Sequence, residues 1–278
     1  MRKINAKKFW QRVFLILLYA PIFIAAVYFG SFPFFISIIL LAFIALQEMY
    51  AMYGNLKKKI ENYHIGYLLL ILIITSAYMS EINYIWNTFI PLLLTGLAAL
   101  FFVSELFCKK IFCIENQNLF MLRAVIYIGM IASYVLLIRE TELPLVGFYN
   151  LTYILFVVWA NDIFAYLIGM PLGRHQLSPA ISPKKSIEGA IGAVLGAVLM
   201  SANLRMLIGI SLFDSIWLAV IVSVLAQTGD LMESLLKRNL HAKNSGSFMM
   251  SHGGVLDRLD SFFLTLPFFY IYINFILR

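Results

Sequence analysis

Long apolar runs, each about the length of a membrane span, alternate with short polar segments along the whole chain. A helix of about 20 apolar residues crosses the hydrocarbon core of a bilayer. Hydropathy predicts nine helices, at roughly 12–30, 33–53, 65–79, 85–106, 119–138, 150–170, 188–204, 207–228 and 261–277. The pattern therefore predicts an all-α, polytopic integral membrane protein.

The composition supports this prediction. Of the 278 residues, 62% are hydrophobic and 13% are charged, whereas soluble domains carry about 25% charged residues. The first apolar run, 14–30, is longer than the about 7–15 apolar residues of a cleaved signal peptide, so we expect it to be a retained span. The two cysteines, Cys108 and Cys113, lack the spacing and partners of a zinc site.

The basic residues predict the orientation. If the N-terminus is cytoplasmic, all but three of the 21 Lys and Arg residues fall on the cytoplasmic side, and the three are Arg139, Arg205 and Arg278. Cytoplasmic loops carry such an excess of positive charge. The bias explains the net charge of +7 without a nucleic-acid partner. About four spans fall within 1–118, and the region 119–278 holds two predicted cytoplasmic loops, 171–187 and 229–260.

Small residues line one side of the seventh predicted helix. Gly189, Gly192 and Gly196 recur there among alanines. Small residues let helices approach closely in lipid, so the pattern favours close packing, with access for a ligand as the alternative.

Asp162 lies inside an apolar run, with Tyr166 one helical turn later on the same face. A carboxylate at such depth costs at least about 2.5–3.5 kcal/mol unless it is paired or hydrated. A functional role is therefore the first hypothesis. A structural hydrogen bond or an ion pair between helices is the alternative.

The segment 171–187 carries basic and hydroxyl side chains just before the seventh predicted helix. Ser182, Lys184 and Lys185 lie there, and the start of a helix favours phosphate because its N–H groups are free and its dipole is positive. These residues are candidate phosphate contacts. Alternatively, the lysines only set the orientation of the protein.

The segment 229–260 has the densest charge in the chain. Carboxylates that project from two converging helices suit a hard cation such as Mg²⁺, which combines few carboxylates with substrate phosphates. Two solvated helix ends are the alternative. His252, beside the pair Gly253 and Gly254, could act as a general base, as a phosphate ligand or as a simple polar contact. The spaced polar residues are Asp230, Glu233, Ser234 and Lys237, followed by Asp257 and Asp260.

Several common motifs do not occur in the sequence. It has no Walker-type phosphate loop, no paired-histidine metalloprotease helix and no Gly-x-Ser-x-Gly elbow. The sequence therefore contains no motif that indicates a hydrolytic catalytic triad, and a bound nucleotide would not be held by a P-loop.

Two motifs in the C-terminal region resemble those of the phosphatidate cytidylyltransferases, also called CDP-diacylglycerol synthases. The match is dense in this region and only hydropathic before it. Asn244 stands where the family usually has Asp, and Met250 and Ser251 where it has Pro and Gly. The matching positions include Asp162, Tyr166, Arg174, Ser182, Lys184, Lys185, Glu188, Asp230, Ser234, Lys237, Arg238, Lys243, His252, Asp257, Arg258 and Asp260.

The resemblance implies an enzyme that transfers a cytidylyl group from CTP to phosphatidic acid, giving CDP-diacylglycerol and pyrophosphate in phospholipid biosynthesis. It implies Mg²⁺ held by Asp230 and Asp257, with room for a second cation. It also implies an active site on the cytoplasmic face of a membrane, expected to be a bacterial inner membrane, and it is compatible with a homodimer. The implied catalytic residues are Asp230, Asp257, Lys237, Arg238, Asp260 and His252; those for substrate phosphate are Ser182, Lys184, Lys185, Ser234, Lys243 and Arg258; Asp162 and Tyr166 support the site.

Two other functions remain open at this point. A CTP-dependent kinase of a membrane alcohol, such as a polyprenol, would release CDP and a phosphorylated lipid. An ion-coupled transporter would use Asp162 and Asp230 as cation sites and would need no CTP.

Overall fold

The computed structural model describes residues 24–56, 60–80, 93, 96, 116–140, 143–179, 181–246 and 254–276. Residues 24–29 are helical. The helices that follow are α1 (Ser31–Gly54), α2 (Tyr63–Ser80), α3 (Gln117–Arg139), α4 (Pro144–Leu172), α5 (Ile187–Ile208), α6 (Leu212–Asn239), α7 (Leu256–Leu259) and α8 (Phe262–Ile271). A π-helical turn, Tyr272–Ile276, continues α8. Two short antiparallel strands, β1 (Gln176–Ser178) and β2 (Ser182–Ser186), form a hairpin between α4 and α5.

The prediction of an all-α polytopic membrane protein is confirmed. Across the described ranges, six stretches are long and apolar enough to cross a membrane: Ser31–Gly54, Gln117–Arg139, Pro144–Leu172, Ile187–Ile208, Leu212–Asn239 and Leu256–Ile276. The predicted helices 12–30 and 85–106 fall mostly outside the described residues, and every other predicted helix overlaps a described one. The total of nine stays a prediction.

The eighth predicted helix is longer in the structure than in the sequence pattern. Hydropathy ends it at 228, whereas α6 continues to Asn239. The predicted loop 229–260 therefore begins with about three further helical turns. Hydropathy marks where apolar residues end, but the following Leu, Met, Glu, Lys and Arg residues are all good helix formers. A polar end thus continues the helix beyond its apolar part.

Helix α3 lies at the centre of the bundle. Every residue from Tyr127 to Arg139 is buried, and the helix contacts α1, α2, α4 and α8. One hydrophobic core runs from Val27 to Tyr270. The predicted regions 1–118 and 119–278 therefore share a core.

Helices α4 and α5 pack closely, as the small residues of α5 predict. A Cβ atom at Gly192 would lie 2.7 Å from the Cβ of Ile168, and one at Gly189 would lie 3.0 Å from the carbonyl oxygen of Ala165. Larger side chains would push the two helices apart. Because α4 leads into the hairpin and α5 leaves it, this packing also holds both ends of the hairpin together.

Buried Arg139 closes one end of the bundle. Its guanidinium donates to the carbonyl oxygens of Tyr28 (2.7 Å), Pro144 (3.2 Å) and Val27. The carbonyl oxygens of Val27 and Tyr28 belong to the last turn of the helical residues 24–29, where no N–H group of the helix remains to donate to them. The neighbouring residue is Gly30 with a φ of 60°, and a side chain there would collide with Arg139. The predicted polar loops lie at the opposite ends of α4 and α6.

Candidate active site

The β-hairpin brings the first predicted loop onto helix α6. The Nζ atom of Lys185, on β2, lies 2.5 Å from an oxygen of Asp230. Arg238, two turns further along α6, donates from Nε to the carbonyl oxygen of Ile181 at 3.4 Å. The two polar segments that the sequence places on the same side of the membrane are therefore in contact.

Helix α5 begins where the sequence predicts, but its first N–H groups are partly occupied. Ser186 caps the helix, because its Oγ accepts from the N–H of Gly189 at 3.1 Å. The N–H of Ile187 donates to the carbonyl oxygen of His175 at 2.9 Å. Phosphate binding near this helix end would therefore depend on the side chain of Lys185 more than on free backbone donors.

Three carboxylates converge at the polar end of α6. One oxygen from each of Asp230, Glu233 and Asp260 lies within 4.8 Å of the others. Glu233 is 1% exposed and Asp260 is 8% exposed. A Cβ atom at Gly229 would lie 2.5 Å from the carbonyl oxygen of Asp260, so the absence of a side chain at 229 permits this approach. The sequence motifs include Asp230 and Asp260, but Glu233 enters the sequence analysis only through its spacing.

The carboxylate oxygens of this group are suitable ligands for a divalent cation. Negative charges at such short range repel each other, which raises the free energy of the fully ionised state. Apart from the ammonium of Lys237, neither oxygen of buried Glu233 has a hydrogen-bond donor among the described residues. Mg²⁺ typically combines one or two carboxylates with substrate phosphates. These three side chains could therefore hold Mg²⁺ together with a polyphosphate.

Lys237 lies between two acidic side chains. Its Nζ forms an ion pair with Glu233, one turn earlier on α6, and lies 2.7 Å from Oδ1 of Asp257. The Lys237 side chain is only 12% exposed. The resemblance places this lysine among the catalytic residues; in the structure its charge is engaged by two carboxylates of the protein.

Asp257 has donors on both carboxylate oxygens. Oδ1 accepts from Lys237, while Oδ2 accepts from the N–H groups of Gly254 (2.9 Å) and Ser245 (3.2 Å). Asp257 does not belong to the three-carboxylate group. The metal pair that the resemblance implies, Asp230 and Asp257, is thus not the set that the structure brings together, and the role of Asp257 as a metal ligand stays a prediction.

Asp162 begins a polar chain that links α4 to α6. Asn161 donates to Asp162 at 3.0 Å and accepts from the Oγ of Ser223 at 2.6 Å, and Gln227 donates to the same Oγ at 3.1 Å. Asp162 also interacts electrostatically with Asp230. The hydrogen bond to Asn161 supports the structural interpretation of Asp162, and its nearness to Asp230 supports the functional one.

The other predicted site residues differ in how exposed they are. Lys184, Arg238, Lys243, Asn244, Arg258 and Tyr166 are exposed, and Ser182 and Ser234 are partly exposed. The Oγ of Ser234 lies 3.5 Å from Oδ1 of Asp230, and Arg258 interacts electrostatically with Asp162. His252, Gly253, Met250 and Ser251 lie outside the described residues.

The sequence analysis missed Glu48, a buried carboxylate of helix α1. It accepts hydrogen bonds from Ser245, Val255 and Leu256, which flank Asp257 in space. The rule that singled out Asp162, a carboxylate inside an apolar run, applies equally to Glu48 in the second predicted span. That signal was in the sequence.

The fold and the site together define a class: a polytopic membrane protein with a carboxylate group and neighbouring basic side chains at one end of its helices. Residues 10–276 match a family model described as the cytidylyltransferase family. The chain belongs to this family, as the motifs in its sequence predict.

Three relatives show how far the similarity extends. A phosphatidate cytidylyltransferase of Bacillus subtilis (strain 168) is 34% identical over 265 residues, which cover 94% of this chain and 96% of that protein. One of Staphylococcus haemolyticus is 38% identical over 152 residues, 53% of this chain and 56% of the relative. One of Staphylococcus aureus (strain COL) is 40% identical over 125 residues, 44% and 47% of the two chains.

Proposed function

We propose that this protein transfers a cytidylyl group from CTP to phosphatidate, forming CDP-diacylglycerol and pyrophosphate in phospholipid biosynthesis. The observation that carries the proposal is the contact between Lys185 and Asp230, which joins the candidate phosphate loop to the carboxylate group. Relatives that bear the name phosphatidate cytidylyltransferase, one of them similar over nearly the whole chain, support the identity of both substrates.

In the proposed step, a phosphate oxygen of phosphatidate forms a bond to the α-phosphorus of CTP. The bond between that phosphorus and the oxygen that bridges to the β-phosphate breaks, and pyrophosphate leaves with the bonding electrons. The protein contributes mainly by orienting two polyanions and by compensating their charge. A polar site at the end of membrane-spanning helices suits one soluble and one lipid substrate.

We assign the metal site to Asp230, Glu233 and Asp260, with Mg²⁺ as the expected ion. Bound there, it would supply charge compensation for the phosphates of both substrates. The protein's own part is to hold three carboxylates at short range and to keep Lys185 beside Asp230. Glu233 pairs with Lys237 through one oxygen and keeps the other for the ion, whereas both oxygens of Asp257 already accept hydrogen bonds. A second cation stays a prediction.

Arg258 and Lys184 are the basic groups we assign to substrate phosphate, together with Lys185. Lys185 contacts Asp230, Lys184 precedes it in the chain, and Arg258 lies two residues before Asp260; the side chains of Lys184 and Arg258 are exposed. An exposed cation is accessible to a substrate phosphate, whereas the charge of Lys237 is already compensated by two carboxylates. The predicted phosphate role is therefore better supported for the exposed side chains.

We further propose that the protein resides in a bacterial inner membrane with this site on the cytoplasmic face. The bacterial relatives and the clustering of basic residues at the end that carries the site support this orientation. CTP is a soluble cytoplasmic nucleotide, so the site must face that compartment. Homodimer formation stays a prediction.

The decisive experiment is an assay of purified protein in detergent with CTP, phosphatidate and Mg²⁺. We expect CDP-diacylglycerol and pyrophosphate in equal amounts. Release of CDP with a phosphorylated lipid would instead identify a lipid kinase, and CTP-independent uptake into sealed vesicles would identify a transporter. Either outcome, or no product under conditions where the protein stays folded, contradicts the proposal.

A further inference from the structure

We infer that Glu48, on helix α1, is a positioning residue that holds together residues 245–246 and 254–256, which form the segment bound by Glu48. The inference rests on the proposed function, because this segment contacts Asp257, beside the site where CTP and Mg²⁺ are proposed to bind. Glu48 lies in the N-terminal region, far in sequence from every motif that defines the family.

Both carboxylate oxygens of Glu48 bind this segment. Oε1 accepts from the N–H of Val255 at 3.0 Å, and Oε2 accepts from the N–H of Leu256 at 3.0 Å and from the Oγ of Ser245 at 3.2 Å. Glu48 is 8% exposed and Ser245 is 4% exposed. Hydrogen bonds to a charged, buried acceptor are among the stronger ones in proteins. One side chain therefore links Ser245 to Val255 and Leu256.

Two glycines make room for this carboxylate. A Cβ atom at Gly246 would lie 2.5 Å from Oε1 of Glu48, and a Cβ atom at Gly254 would collide with Oε2 and with the Oγ of Ser245. Backbone from both ends of the segment thus lies directly against Glu48. Any larger residue at either position would have to displace the carboxylate.

The same contacts reach Asp257. Ser245, which donates to Glu48, accepts from the N–H of Asp257 at 3.3 Å and donates its own N–H to Asp257 at 3.2 Å. Asp257 in turn binds Lys237, the ion-pair partner of Glu233. A continuous set of polar contacts therefore connects Glu48 to the three-carboxylate group.

Glu48 has no cationic partner in the described part of the chain. The ion pairs found there involve His175, Lys185 and Lys237, and none includes Glu48. Within the described ranges, N–H and O–H donors alone compensate its charge. A residue needed only to fill this space could be apolar, because a buried charge costs free energy unless its donors are correctly placed. We therefore expect this carboxylate to fix the relative positions of its donors, Ser245, Val255 and Leu256.

The test compares wild type with Glu48→Gln in the assay for CDP-diacylglycerol. Gln has nearly the same shape, but its amide group would present a donor to the N–H or O–H donors of the segment. We expect kcat/KM for CTP to fall about 10–100-fold, as for other residues that position ligands through a neighbour, mainly through a higher KM. Glu48→Asp, which keeps the charge on a shorter side chain, should recover part of the loss.

Two further variants keep the result interpretable. Ser245→Ala leaves the carboxylate intact and removes one of its donors, so we expect a smaller rise in KM. Glu61→Gln makes the same chemical change at an exposed position just after α1, and we expect wild-type kinetics. A thermal-shift measurement adds a readout that does not depend on turnover: CTP with Mg²⁺ should raise the Tm of wild type and of Glu61→Gln clearly more than that of Glu48→Gln.

The outcomes separate the two proposals. If wild type forms no CDP-diacylglycerol, the proposed function fails, and the thermal shift with CTP then decides the role of Glu48. If wild type is active and Glu48→Gln keeps its KM and its thermal shift, the inference is wrong. It is also wrong if Glu48→Gln only lowers the Tm and the yield of folded protein while KM stays unchanged, because that result describes a purely structural contact.

Discussion

Two lysines, one from each motif, illustrate how the surroundings of a side chain decide what it can do. Lys185 has a side chain 26% exposed beside one carboxylate, whereas Lys237 has a side chain 12% exposed between two. Removing a partner from a buried ion pair leaves an uncompensated charge. Lys237 is thus suited to fix Glu233 and Asp257 in place, whereas Lys185, whose Nζ is itself buried, pairs with Asp230 alone among the described carboxylates.

Glu233→Gln tests whether the three-carboxylate group is the metal site. The change removes one negative charge and preserves the shape of the side chain. We expect the Mg²⁺ concentration for half-maximal activity to rise at least about tenfold, because fewer charged oxygens would bind the ion. A titration of activity with Mg²⁺ at saturating CTP measures this effect.

The matched control for Glu233→Gln is Asp214→Asn. Asp214 is an acidic residue of the same helix in its first turn, at the end far from the site. Its loss should leave the Mg²⁺ titration unchanged. Equal Mg²⁺ requirements for wild type and Glu233→Gln would remove Glu233 from the metal site and favour the pair Asp230 and Asp257 that the sequence motifs imply.

Helix α6 positions most of the site because it extends past its apolar part. Its residues Asp230, Glu233 and Lys237 recur at helical spacing on one face, and that face meets Asp260 and Asp257. The approach depends on Gly229, whose missing side chain leaves space for the carbonyl of Asp260. The close contact between two elements, and not the carboxylates alone, makes the group compact.

Gly229→Ala should separate these elements. The added methyl group would lie 2.5 Å from the carbonyl oxygen of Asp260, so the backbone must shift. We expect the free energy of unfolding to fall by about 1–3 kcal/mol, as for other overpacked sites. We also expect the protein that remains folded to have lower activity than wild type. Thermal denaturation in detergent and the CDP-diacylglycerol assay measure the two effects.

Gly54→Ala is the appropriate comparison for this variant. Gly54 is also helical, and a Cβ atom there would have no atom within 4 Å. It should therefore match or slightly exceed wild-type stability. Equal stability and activity of the two alanine variants would contradict the close contact between Gly229 and the carbonyl oxygen of Asp260.

The bundle as a whole has two chemically different ends. One end holds Arg139 and the start of α4, and the other holds the hairpin, the polar end of α6 and the segment bound by Glu48. Helices that run between these ends in alternating directions place every described part of the site at the same end. The molecule thus presents one polar face to one compartment.

Cysteine labelling in cells tests the orientation of the two ends. In a background with Cys108→Ser and Cys113→Ser, we expect Lys184→Cys to react with a membrane-impermeant maleimide only in inverted vesicles. Leu212→Cys, an exposed position at the opposite end, should react in intact spheroplasts. The reverse pattern would contradict a cytoplasmic N-terminus and would place the site on the outer face.

Much of the fold could be predicted because it depends on local properties of the chain. Apolar length indicates a span, and small residues such as Gly192 indicate a close helix contact. The orientation that the basic residues indicate stays a prediction. The predictions were least accurate where polarity and helix formation diverge. The extension of α6 to Asn239 is the clearest case, since hydropathy reports burial in lipid and not hydrogen bonding along the backbone.

The sequence by itself determined the class of protein and the family, because residue type and spacing are sufficient for each; the roles it assigns to the polar residues stay predictions. Only the tertiary structure decided which carboxylates meet. It grouped Glu233 with Asp230 and Asp260, gave Asp257 to Lys237, and brought Glu48 to a segment about 200 residues away. Such contacts follow from how helices rotate and pack against each other, and no pattern within one helix contains that information.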